Sequence, residues 1–102
     1  MANIINKGIR ARVTAKGDIF ADGREYTCTL YHSAKAQDGR ATVKATATTI
    51  DGVVVCPFVF EPTDTAKLKT GSVIMEIYDA ESLEQMSYVE NFATVRSNSI
   101  VA

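Results

Sequence analysis

The sequence predicts an all-β domain, a two-layer sandwich of short strands, and three observations carry that prediction. Val, Ile, Thr, Tyr and Phe supply 37 of the 102 residues against only three leucines, a balance that suits pleated, half-buried surfaces better than helices. Three Asp-Gly pairs, Asp22-Gly23, Asp38-Gly39 and Asp51-Gly52, punctuate the first half at intervals of 16 and 13 residues, and these residue types accept the positive φ angles of tight turns. Between them apolar and polar residues alternate with period two, the mark of a strand with one dry face. A chain of this length buries roughly two thirds of its unfolded surface, enough for one core and one domain.

Taken in order, Met1 to Gly8 reads as an N-terminal arm, and the sandwich proper as residues 9–96. Ile9, Ala11 and Val13 alternate with Arg10, Arg12 and Thr14 in a first strand that Lys16-Gly17-Asp18 ends. Ile19-Phe20 is too short to assign. Tyr26, Cys28 and Leu30 share one face of a strand over about 25–32. The clearest pattern is Arg40 to Thr49, where Ala41, Val43, Ala45 and Ala47 back a ladder of Thr42, Thr46 and Thr48. Val53 to Phe60 is apolar on both faces and reads as a central strand, with Pro57 pointing to an edge or bulge position because proline gives no N–H to a ladder. Thr63 or Asp64 caps a single helical turn near 63–70 that Gly71 closes. Ser72 to Asp79 follows as a strand with Val73, Met75 and Ile77 inward and Ile74, Glu76 and Tyr78 outward. The final strand, about Met86 to Arg96, has mixed parity and predicts a bulge near Glu90-Asn91. Residues 97–102 form a C-terminal tail. Six or seven strands, turns about every ten residues and one helical turn predict an immunoglobulin-like antiparallel β-sandwich, although without a tryptophan the Cys-Trp-Cys core of antibody domains is absent.

Chemistry is sparse. Cys28 and Cys56 read as two buried thiols, with a disulfide as the alternative if their strands face one another; a zinc site would need four ligands, and a single histidine leaves three at most. His32 and Ser33 are adjacent on a strand and point to opposite faces, so they make no dyad and His32 reads as a surface residue. Glu81 and Glu84 lie in a polar connection with nothing to desolvate them. No glycine-rich phosphate loop occurs. A formal charge of −1 supplies no field for nonspecific nucleic-acid binding, and no apolar run reaches the length of a membrane span. The opening residues offer no apolar leader. No cofactor, metal, nucleic acid or membrane is expected, and no enzymatic activity.

Charge is nevertheless uneven. Residues 1–50 carry eight Lys/Arg and four Asp/Glu, whereas residues 51–102 carry three and eight. Either the halves interleave within one sandwich, or a basic edge docks on an acidic edge of a neighbour.

Thr63-Asp64-Thr65-Ala66-Lys67-Leu68-Lys69-Thr70-Gly71, with the strands ending Glu76-Ile77-Tyr78-Asp79 and Asn91-Phe92-Ala93-Thr94-Val95-Arg96, resembles the small immunoglobulin-like domains of bacteriophage virion proteins. The likeness is greatest to the N-terminal attachment domain of upper-baseplate and fibre proteins and covers about residues 60–97. It implies a virion structural protein, made in the host cytoplasm, that serves as a capsid auxiliary or decoration protein or as a fibre, neck or baseplate adaptor. Its partners would be other virion proteins and further copies of itself. The expected contact residues are Asn3, Ile4 and Ile5 of the arm, Arg10 and Arg12, Thr42, Thr46 and Thr48 of the ladder, and Ile100 and Val101 of the tail. The alternative class is a carbohydrate-binding or adhesin-type module, for which Tyr31, Tyr78 or Tyr88 would have to supply the aromatic platform.

Overall fold

A computed structural model describes residues 3–35 and 38–97. The strands are β1 (Asn3–Asn6), β2 (Ala11–Lys16), β3 (Glu25–Tyr31), β4 (Ala41–Thr46), β5 (Thr48–Ile50), β6 (Val53–Phe60), β7 (Gly71–Asp79) and β8 (Gln85–Arg96), with one helical turn, α1 (Pro62–Thr65), before β7. They form two sheets, ordered β1-β8-β7-β3-β4 and β2-β6-β5. The second, sixth and fifth strands thus form a narrow sheet that packs against the other five, giving a two-layer all-β sandwich.

The alternating residues fill the space between the sheets. Tyr26, Cys28 and Leu30 of β3, Val73, Met75 and Ile77 of β7, and Ala93 and Val95 of β8 face Val13 of β2 and Cys56, Phe58 and Phe60 of β6. Cys28 and Cys56 are both free and buried in this core. Desolvation pushes the thiols up, to about 12 for Cys28 and about 11 for Cys56, which leaves them protonated and inert.

Several expectations need correction. Residues 3–8 are not a loose arm: Asn3 to Asn6 pair with Ala93 to Arg96, and Ile5 lies in the core at 4% exposure. That pair is parallel, so the sandwich is not wholly antiparallel; β1 fills the free edge of β8 before the chain crosses to the other sheet. The long strand expected over 40–49 is two strands in different sheets. Ala47 is the crossing point, buried and fixed by its N–H donating to Arg24 O (2.9 Å) and its carbonyl accepting from Gly23 N–H (2.8 Å). In the helical turn the N-cap is Glu61, whose N–H donates to Asp64 Oδ2 at 2.9 Å, and Gly71 opens β7 at φ 121° instead of capping the turn. Ile9, expected inward on the first strand, stands 41% exposed in the connection before β2.

Other expectations hold. Asp51 (φ 51°) and Gly52 (φ 79°) form the two-residue turn joining Ile50 to Val53, whereas the other two Asp-Gly pairs sit in longer connections. Pro57 lies on β6 beyond the end of β5, which reaches only Val55, so β6 is locally an edge there. The bulge on β8 falls where Val73 pairs with Ala93 but Met75 with Val89, around Asn91 at φ 52°.

Thr65 ties two segments together. Completely buried, its hydroxyl donates to Ile9 O (2.9 Å) and accepts from Gly8 N–H (3.0 Å). The β1–β2 connection is thereby pinned to α1. Thr65→Val keeps the shape but leaves both backbone groups unpartnered, and chemical denaturation should show a loss of about 1–3 kcal/mol.

Candidate functional site

The sandwich has two lateral edges, and they differ. On one side β4 and β5 are joined through Ala47, so the chain itself closes the gap between the sheets. On the other side β1 ends the wide sheet and β2 ends the narrow one, and between them lies a cleft of about 460 Å³. Its walls include Ile4, Ile9, Val13, Met75 and Phe92, with Arg10 and Arg12 among the polar lining groups. Ile4 is 56% exposed beside it.

Asn3, Ile4, Arg10 and Arg12, far apart in role when read along the chain, thus come together on one open edge. Arg10 is not on a strand; it precedes β2 and forks onto Glu61, with Nε to Oε1 at 2.9 Å and Nη2 to Oε2 at 3.1 Å. Arg12 and Lys16 project from β2 into solvent, the kind of charge that keeps an edge strand from pairing indiscriminately. Ile5 lines the cleft from behind, as a core residue and not as a surface contact.

The threonines do not join this surface. Thr42 and Thr46 are exposed on β4, Thr42 sharing a 3.1 Å hydroxyl contact with Thr29, while Thr48 is on β5 in the other sheet. The ladder read from the sequence is therefore broken at Ala47 and lies on the side away from the cleft. Ile100 and Val101 lie outside the described residues.

A second polar cluster went unread in the sequence. Glu76, outward on β7 as expected, is nevertheless buried: Tyr31 Oη and Tyr78 Oη donate to its carboxylate, and Gln85 Nε2 donates at 2.6 Å. Burial alone would push this carboxyl up; the three donors outweigh it and hold it below its usual range. The Arg40 guanidinium lies 4.8 Å from the centre of the Tyr31 ring. Tyr31 is only 5% exposed and Tyr88 46%, so Tyr31 presents no free ring face. The arrangement fastens neighbouring strands and leaves no carboxylate poised for proton transfer. The only available signal was Tyr31 and Glu76 sharing the outward parity of adjacent strands.

His32 is also structural. Lys69 N–H donates to Nε2 at 3.1 Å, so Nδ1 carries the proton and donates to Ser72 O at 2.9 Å. The half-buried ring staples the end of β3 to the start of β7, a correction to its reading as a plain surface residue. Among the described residues no three of His, Cys, Asp and Glu are grouped so as to hold a metal ion.

Part of the uneven charge is paired within the chain. Arg10–Glu61 and Arg24–Asp79 each join the basic half to the acidic half, and Lys69–Asp38 (2.7 Å) joins them in reverse. No protein family, curated protein or solved structure matches the chain.

Asp79 organises the β7–β8 turn. Its carboxylate takes the Arg24 fork and the N–H groups of Glu81 (2.9 Å) and Ser82 (3.1 Å). The Arg24 hydrogen bond first, then the two backbone donors, hold the carboxyl far below its ordinary value against the opposing effect of burial. A carboxyl depressed in the folded state contributes stability above its unfolded pKa of about 3.9 and loses it as the pH falls further. Melting temperature should therefore decline as pH falls below about 4, and Asp79→Asn, less stable at pH 7, should show a shallower decline.

Proposed function

We propose that this chain is a non-enzymatic bacteriophage virion structural protein that assembles on the particle by protein–protein contact through its open β1/β2 edge. The role is that of a capsid auxiliary or decoration protein, or of a fibre, neck or baseplate adaptor. The phage assignment rests on the resemblance over residues 60–97. The contact mode rests on one observation: two strand edges that no described strand pairs with flank a cleft of mixed polar and apolar lining, and an exposed Ile4 stands in its wall. Edge strands with free N–H and C=O groups, next to apolar surface, are ready-made sites for another chain. No cofactor enters this reading, and its partners are other virion proteins and further copies of the chain, at a virion location after synthesis in the host cytoplasm. The adhesin alternative draws less support, because Tyr31 is covered and Glu76 occupies the centre of the aromatic cluster.

Because β1 belongs to the sheet, removing it would damage the fold, and point changes on exposed positions are the better test. In a density gradient of lysate from cells producing the encoded particle, the protein should band with the particles. Ile4→Asp combined with Arg12→Glu should lower its incorporation about tenfold or more while the melting temperature stays within a few degrees of wild type. Recovery of the wild-type chain only in the soluble fraction would refute the proposal.

A further inference from the structure

The turn between β7 and β8 carries Leu83 where a polar residue would be the ordinary choice. Leu83 is 74% exposed and has a φ of 60°, so the chain bears both an unburied leucine and a backbone angle that a side chain with a Cβ disfavours. The turn is nonetheless rigidly built. Leu83 N–H donates to Asp79 O and Asp79 N–H to Glu84 O, both at 2.9 Å, and Ala80 N–H reaches Glu25 O at 3.1 Å. The Asp79 carboxylate, clamped by Arg24, holds Glu81 and Ser82 from inside. Exposed Glu81 and Glu84 flank the leucine. The result is a preorganised apolar knob between two negative charges.

The cleft has the complementary character. Exposed Ile4 and Ile9, with Phe92, contribute apolar surface to a lining that is otherwise polar and includes Arg12, with Lys16 exposed further along β2. Its volume of about 460 Å³ exceeds one leucine side chain severalfold and leaves room for the turn that carries it.

We propose that the Leu83 turn of one copy seats in the β1/β2 cleft of a second copy, with Glu81 and Glu84 facing Arg12 and Lys16. The inference deepens the reading of this edge as the docking edge by naming a second copy of the chain as its occupant. The knob lies at the Asp79 end of β7 and the cleft along the lateral edge, so donor and acceptor are different surfaces. Such a contact is heterologous and propagates into a ring or a filament. A preformed knob pays little ordering cost on docking, and the charges around it set orientation and encounter rate more than affinity.

Sedimentation velocity of the isolated chain, up to about 1 mM where weak contacts of small area become visible, tests this directly. The weight-average mass should rise with concentration past that of a dimer and fall as salt is added. Leu83→Asp should weaken association on the order of 100-fold. Leu83→Gly, whose backbone accepts the φ of 60° without a Cβ, should lose association while melting no lower than wild type, which separates docking from folding. Arg12→Glu should weaken association, and adding Glu84→Arg to it should restore part of the loss. A wild-type chain that stays monomeric throughout, or a Leu83→Asp variant that associates as wild type does, overturns the inference. A monomeric chain that still bands with particles would refute the homotypic contact alone, and a Leu83-dependent oligomer absent from particles would refute the virion role alone.

Discussion

A three-stranded sheet cannot cover a five-stranded one. Both share the core built on Phe58, Phe60, Leu30 and Ile77, and the wide sheet ends in β1 and β4 where the narrow one ends in β2 and β5. The chain treats the two sides differently. Beside β4 it passes directly from one sheet to the other at Ala47, and that crossing seals the side. Beside β1 it crosses only at one end, through Lys7 to Arg10, where Gly8 and Ile9 are held by Thr65. Among the described residues the rest of that side stays open, and the cleft is the space between the edges. What is available for contact follows from this inequality more than from any single residue.

The buried polar side chains and the half-buried His32 hold strands and connections in place. Thr65 fixes the β1–β2 connection, His32 joins the end of β3 to the start of β7, Asp79 shapes the β7–β8 turn, and Glu76 gathers Tyr31, Tyr78 and Gln85 across the wide sheet. Each is satisfied by neighbours, and no buried side-chain nitrogen or oxygen is left without a partner among the described residues. The carboxylates held low are each met by donors: Glu76 by Tyr31, Tyr78 and Gln85, Asp79 by Arg24 and two turn N–H groups, and Asp38 by Lys69. Their energetic effect goes into shape, and the shape is an edge and a protruding turn.

Much of this fold can be read from the chain, and each failure has a physical reason. β3, β6 and β7 announce themselves because each buries one face against the opposite sheet, and the β8 bulge shows as a change of parity around Asn91. β1 does not, since Asn-Ile-Ile-Asn is too short for a period and owes its conformation to the free edge of β8. The switch at Ala47 is invisible for the opposite reason: alternation continues through it undisturbed, and only the backbone bonds to Gly23 and Arg24 reveal the crossing. Asn3, Ile4, Arg10 and Arg12 could be named singly, yet their convergence depends on β1 and β2 ending different sheets. Ile5 was assigned to the surface because β1 was read as an arm. Glu76 escaped because its burial comes from side chains on β3 and β8 as well as its own strand.

Amide hydrogen exchange, compared between the isolated and the assembled chain, bears most directly on whether the open edge is the working surface. The account predicts that assembly slows exchange at Asn3 to Asn6 and along Ala11 to Lys16, together with the Asp79 to Gln85 turn. Protection confined to β4 and β5, or to the outer face around Tyr88, with the β1/β2 edge exchanging as fast as before, would contradict it.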